Sequence, residues 1–142
     1  MTDRLLLDTH ILLWLEAGNN KLGEQTRTLL DRHWHDGGTI LPSAVTAWEI
    51  AMLAEGGRIH LDCSASDWIG RCLRRPGFAM TPLSWRACVG AYELHHLEHH
   101  DPADRLLIAT TIEQGCPLVT HDERIARFAA SHGRQHGLQL AR

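Results

Sequence analysis

Three observations predict an α/β fold built on a mainly parallel sheet. Short β-like runs such as Leu5-Leu6-Leu7 and Leu118-Val119-Thr120 alternate with longer stretches of helical apolar spacing, the pattern of strands joined by crossover helices. No repeat or low-complexity tract interrupts that alternation. Acids follow two of the runs, Asp8 and Asp122, at the carboxyl ends of strands, where open parallel sheets bind ligands.

Residues 5–7 are the first strand. The stretch Ile11-Leu12-Leu13-Trp14-Leu15 reads as a largely buried helix ending near Gly18-Asn19-Asn20. Residues 24–35 read as a second helix with Leu29, Leu30 and Trp34 on one face and Gly37-Gly38 beyond its end. Residues 39–42 form the second strand, and Ser43 caps a helix that carries Glu49 and stops at Gly56-Gly57. The middle of the chain reads as a helix over 66–75, a strand over 78–81 and a helix over 84–94. Asp101-Pro102-Ala103-Asp104 is a strong helix start: Asp caps, Pro suits the first turn, and an acid at the third position can reach back. That helix ends near Gly115, residues 118–120 form a strand, a helix runs from Asp122 to about Ala130, and residues 137–140 add an edge strand. The sheet therefore has about five strands.

At 142 residues the chain is expected to be one domain, residues 1–142, around a single core. The first residues run into a strand without a leader-like apolar region, and no apolar stretch reaches membrane length, so a cytoplasmic protein without membrane contact is expected. Cys63, Cys72, Cys88 and Cys116 form no C-x-x-C pair and are read as small buried thiols. A net charge of −3 excludes coating nucleic acid by bulk electrostatics. Thirteen of the fourteen basic residues are Arg, with Lys21 the exception; either GC-rich coding or phosphate recognition yields that bias, and Arg71, Arg74 and Arg75 could form a basic patch.

Asp8, Glu49, Asp104 and Asp122 carry the chemistry. Each has an innocent reading: Asp8, Asp122 and the Asp101/Asp104 pair can all cap helices. Glu49 has the weakest such reading, because Val45, Trp48, Ile50, Met52 and Leu53 surround it and no Lys or Arg lies within a helical turn. A buried carboxylate without a partner costs several kcal/mol, about 3–5 by mutational measure. Four acids from separate strand-to-helix junctions have a shared divalent cation as their simplest common cause, and an all-oxygen set suits Mg²⁺ or Mn²⁺. Ser43 lies on roughly the same helical side as Glu49, and Thr9 and Thr120 adjoin acids, so their hydroxyls could orient ligands. Arg105 and Arg124, each close in sequence to an acid, could touch substrate phosphates or form surface ion pairs.

The strings Leu7-Asp8-Thr9-His10-Ile11-Leu12-Leu13-Trp14, Trp48-Glu49-Ile50-Ala51, His99-His100-Asp101-Pro102-Ala103-Asp104-Arg105-Leu106-Leu107-Ile108-Ala109 and Leu118-Val119-Thr120-His121-Asp122 resemble, in order, the motifs of PIN-domain ribonucleases. More narrowly they resemble the VapC toxins of type II toxin–antitoxin modules. The resemblance implies a three-layer α/β/α sandwich whose acidic pocket holds Mg²⁺ or Mn²⁺ and hydrolyses RNA, usually in complex with a VapB-type antitoxin, and it suggests a homodimer. Asp8, Glu49, Asp104 and Asp122 match the acidic quartet, with Asp101 a possible auxiliary. The chain departs from the pattern at Ala103, where such toxins often carry Phe, and at Leu53, where a Lys is frequent; the first loosens packing and the second removes a positive charge near the site.

His95, His96, His99 and His100 are dense enough to suggest a transition-metal site, and 95/99 and 96/100 have helical spacing; without an H-E-x-x-H string or Cys partners, a solvated connector is the simpler reading. Two enzyme classes are excluded: a haloacid-dehalogenase-like phosphatase needs a second Asp at position 10, which is His10, and a receiver domain needs a late Lys. The chain therefore reads as a metal-dependent endoribonuclease, the alternative being an idle PIN-fold module that binds a partner protein through apolar helices. Trp34, Trp68 and Trp85 suit either a core or an interface.

Overall fold

The computed structural model describes residues 3–98 and 100–141. Strands β1 (Arg4–Leu7), β2 (Thr39–Leu41) and β3 (Leu118–Val119) form a parallel sheet in the order β2-β1-β3. Leu5 is opposite Ile40 on one side of β1, and Leu6 and Leu7 face Leu118 and Val119 on the other. The side-chain period of two divides the core between the faces. Leu5 and Leu7 pack with Ile11, Leu12, Leu30, Ile50 and Trp68, while Leu6 packs with Leu107, Ile108, Leu118, Ile125 and Phe128. Both faces are thus covered by helices, the three-layer α/β/α arrangement, and a strand buried on both faces must be the near-continuous apolar run that Leu5-Leu6-Leu7 is.

The five expected strands become three strands and two shorter lanes. Residues 77–81 run along β2 through parallel bridges Ile40↔Phe78 and Ser43↔Thr81, and Leu118↔Leu140 adds a lane outside β3. On the first side Pro42 has no N–H to extend a ladder, and the next residues turn into a helix cap; on the second β3 is only two residues long because Thr120 turns aside toward Asp8.

Helix α1 (Thr9–Ala17) starts at Asp8 and ends at Gly18, whose φ of 63° is the left-handed closure that favours glycine. A 3₁₀ turn (Asn20–Leu22), not foreseen, leads to α2 (Glu24–His35), where Leu30 is buried but Trp34 is partly exposed, donating through Nε1 to the Pro76 carbonyl at 2.6 Å. Helix α3 (Ala44–Glu55) is capped by Ser43 and α4 (Ala65–Leu73) by Ser64. Helix α5 (Trp85–Gly90) stops short of the expected residue 94. The guanidinium of Arg105 donates to the Ala91 carbonyl at 2.9 Å and the Leu97 carbonyl at 2.8 Å, claiming an acceptor that a longer helix would need. Helix α6 (Pro102–Gln114) is capped by Asp101.

Helix α7 (Glu123–His136) runs six residues past the expected end, through Gly133 to Gly137. Gly133 is required rather than disruptive: a Cβ there would lie 2.8 Å from the Leu138 carbonyl oxygen, so only glycine lets the returning chain close over the helix end.

Several surface expectations change. Cys72 and Cys116 are buried, but Cys63 is half-buried and Cys88 exposed. Arg71 pairs with Asp62, and Arg75 pairs with Glu16 and covers the Phe78 ring, so two of the three residues of the 71–75 basic patch are engaged in the protein's own contacts. His95, His96 and His100 lie in a non-helical connector, which removes the i, i+4 argument for a metal site there; His99 lies outside the described residues. Trp68 is core, whereas Trp85 is exposed. No described helix is long and apolar enough to cross a membrane.

Candidate active site

At the carboxyl end of the sheet, Asp8, Glu49, Asp101, Asp104 and Asp122 line one cavity of about 330 Å³. Asp8 follows the central strand, Asp122 follows β3, Glu49 comes from α3, and Asp101 and Asp104 come from the start of α6. Asp8 is the most constrained. Its backbone N–H donates to the Val119 carbonyl at 3.0 Å, one carboxylate oxygen accepts from the Thr9 N–H at 2.7 Å, and the other accepts from the Thr120 hydroxyl at 2.6 Å. Thr120 also accepts from the Asp122 N–H at 3.0 Å, so one hydroxyl ties the two strand-end acids together.

Burial is the main cause that raises the Asp8 pKa above the ordinary carboxylate range; Thr120 and Thr9 oppose it, His10 lowers it and Asp122 raises it further. Glu49 is also raised chiefly by burial. A hydrogen bond from Thr9 opposes that, and the charges of Asp8 and Asp101 add to it. The Thr9 hydroxyl lies 3.0 Å from that of Thr46, a buried pair at the foot of Glu49.

Asp122 and Asp101 both cap helices and line the cavity. One Asp122 oxygen accepts from the N–H groups of Arg124 and Ile125 at 2.8 and 3.2 Å, and the other faces the Arg124 guanidinium at 3.6 Å; Asp101 accepts from the Ala103 N–H at 2.9 Å. Asp104 is buried at the cavity wall in the first turn of α6. Arg124 lines the cavity, but Arg105 does not: it is buried behind α6, its guanidinium on the carbonyls of Ala91 and Leu97 and 5.5 Å from the Tyr92 ring centre. Arg105 therefore fastens the connector before the acidic helix start, away from the cavity lining. Ser43 is likewise fully buried and spends its hydroxyl on the Val45 N–H.

Sequence reasoning overlooked the aromatic wall formed by His10, Trp14 and His121. The Trp14 ring lies 5.7 Å from His10 and 5.9 Å from His121, and His121 Nε2 bonds the Leu22 carbonyl at 2.7 Å. The signal was available, since His10 stands two residues after Asp8 and Trp14 one helical turn beyond that.

Among the described residues, no three His, Cys, Asp or Glu side chains are grouped to hold an ion as they stand. The chemistry of the acids nonetheless suits a hard divalent cation: their donors are all oxygens, the charge of Asp122 disfavours that of Asp8, and the charges of Asp8 and Asp101 disfavour that of Glu49. Mutual repulsion is what a cation would relieve.

A stability prediction follows. Because the folded-state pKa values of Asp8 and Glu49 are raised above their unfolded values, their ionised forms cost stability at neutral pH. That cost is relieved as pH falls through the folded-state pKa, and no further gain occurs below the unfolded values near about 4. Urea melts in EDTA from pH 7 to pH 4 should show wild type gaining on Asp8→Asn as pH falls. A constant difference would mean that Asp8 is not strained by burial.

A PIN domain family model matches residues 5–131. The chain is 32% identical to Ribonuclease VapC22 of Mycobacterium tuberculosis over 124 residues, 85% of this chain and 88% of that protein. Among solved structures it is similar to VapBC2 from Rickettsia felis bound to a promoter DNA fragment, with a TM-score of 0.66 and 19% identity over 97% of each chain. A toxin–antitoxin complex from Klebsiella pneumoniae aligns with a TM-score of 0.57 and 15% identity over 94% of each chain. At those identities the structures speak for the fold.

Proposed function

Since the chain belongs to the PIN-domain family and is VapC-like within it, we propose that it is a Mg²⁺- or Mn²⁺-dependent endoribonuclease, the toxin of a type II toxin–antitoxin pair. The observation that carries this reading is the convergence of Asp8, Glu49, Asp104 and Asp122, with Asp101 beside them, on one cavity at the carboxyl end of the sheet. On this reading residues 1–142 act as one cytoplasmic domain, as a homodimer, with a VapB-like antitoxin as protein partner and RNA as substrate.

Asp8, Asp104 and Asp122 would hold the cation, with Glu49 completing the set. When bound, the ion supplies neutralisation of phosphodiester charge and a more acidic water. The protein's own contribution is positioning. Thr120 and the Thr9 N–H fix both oxygens of Asp8, so its remaining lone pairs face the cavity in one orientation. Alternatively Glu49, raised in pKa and hydrogen-bonded by Thr9, orients the attacking water and takes its proton, the leaving ribose oxygen being protonated from solvent as the P–O ester bond breaks. Arg124 stands at the rim, where a guanidinium can pair with a phosphate oxygen.

The test is cleavage of a structured RNA by the purified chain, free of any partner. Cleavage with Mn²⁺, its loss in EDTA, and slowed growth of a host expressing the chain are expected. A soluble, folded protein that leaves RNA intact under every metal condition would instead be an idle interaction module.

A further inference from the structure

A second groove of about 650 Å³ opens beside the carboxylate cavity and shares Asp101 and Arg124 with it. Counted as the chain's net charge of −3 is counted, with His neutral, the groove is balanced, Arg124 and Arg127 against Glu98 and Asp101, so two arginines stand in a locally neutral lining that also holds His96, His100 and His132. Arg124, Arg127 and His132 share one face of α7 with Phe128 and Ser131: the positions fall at helical spacing, Arg124, Arg127 and Ser131 are exposed, and Phe128 is the buried floor. From residue 124 to 132 the helix advances about 12 Å, the axial length of roughly three stacked nucleotides at about 3.4 Å each.

The connector lines the groove's other side. His96, on the connector, stacks on His132 with ring centres 4.1 Å apart and planes 8° from parallel, and His96 is solvent-exposed. A π-surface beside a line of guanidinium groups is the combination that holds single-stranded nucleic acid: charge tracks the backbone and ring faces take bases whatever their sequence.

We propose that this groove is the strand-binding subsite of the enzyme, carrying single-stranded RNA next to the scissile bond, with backbone phosphates on Arg124 and Arg127 and a base against the His96–His132 stack. This rests on the ribonuclease reading.

The test measures binding separately from cleavage. Fluorescence anisotropy of a 5′-labelled single-stranded RNA is followed in EDTA, with the RNA checked intact on a gel, for wild type, Arg127→Gln, His132→Gln, the double variant and Arg134→Gln. Arg134 is an exposed cation of the same helix outside the groove, so its loss reports bulk charge alone. The double variant should bind about tenfold more weakly, and Arg127→Gln should lower the slope of log Kd against log salt by about 0.7, the value for one phosphate contact on a single strand. Arg134→Gln should match wild type. Equal Kd and slope in Arg127→Gln, His132→Gln and wild type would overturn the proposal, as would a wild type that binds no RNA, or variants that lose affinity only for a protein partner. Tight, groove-dependent binding by a protein that cleaves nothing with Mn²⁺ would leave the subsite standing and remove the nuclease reading.

Discussion

Asp8→Asn and Asp104→Asn are each expected to lower the rate of RNA cleavage in Mn²⁺ by about a hundredfold or more. Removing one charged ligand from such a site costs several kcal/mol, and about 1.4 kcal/mol is a factor of ten in rate. The change preserves shape: the amide oxygen of the Asp8→Asn variant can still accept from the Thr9 N–H, as the Asp8 carboxylate does at 2.7 Å, so the fold has no reason to fail. Asp101→Asn is the internal comparison. Its visible role is to accept the Ala103 N–H, which Asn performs as well, so its effect should stay within a few-fold. Rates under saturating substrate separate these cases. Equal cleavage by wild type and Asp8→Asn would identify the activity as a contaminant.

The second large effect is on stability, and its sign depends on the metal. In EDTA the acids repel one another, so Asp104→Asn or Asp122→Asn should melt at or above wild type. A ligand that binds only the folded state stabilises it by about 2.7 kcal/mol at one hundred times its Kd, which for a chain of this size moves Tm by roughly 5–10 °C. Wild type should gain that in Mn²⁺ and the Asn variants should lose most of it. If the acids were only helix caps, each Asn change would be nearly neutral and the metal response unaltered. The melts require His95, His96, His99 and His100 changed to Gln beforehand, so that their own metal binding does not contribute. An undiminished Mn²⁺ shift in both variants would remove the shared site.

The sequence revealed whatever is governed by local periodicity and caps. Residues 24–35 are helical because apolar spacing and the following glycines agree, and Ser43, Asp101 and Asp122 mark helix starts because a side-chain acceptor is needed there. The convergence of the acids was legible because charge after an apolar run is expensive. What escaped was in part tertiary: α5 ends early because Arg105, fifteen residues after Gly90, reaches back for the Ala91 carbonyl, a contact with no local signature. The end of α7 did have one, Gly137 at a φ of 79°, but Gly133 inside the helix read as a break. That Arg105 lies away from the cavity escaped for a like reason, since adjacency to Asp104 in sequence says nothing about which side of a helix the guanidinium leaves by. The aromatic wall was missed because His10, Trp14 and His121 are ordinary in composition and become a surface only when β1 and β3 lie side by side.

The bond between Thr120 and Asp8 spans 112 positions of the chain. Asp8 leaves the ribosome well before the hydroxyl of Thr120 and the carboxylate of Asp122 that complete its surroundings, which follow roughly 6 to 22 seconds later at about 5–20 residues per second. A nascent chain consequently has no pocket until Thr120 and Asp122 have been added. On the ribonuclease reading, translation is a built-in delay: the carboxylate pocket cannot act before Thr120 and Asp122 have joined the chain.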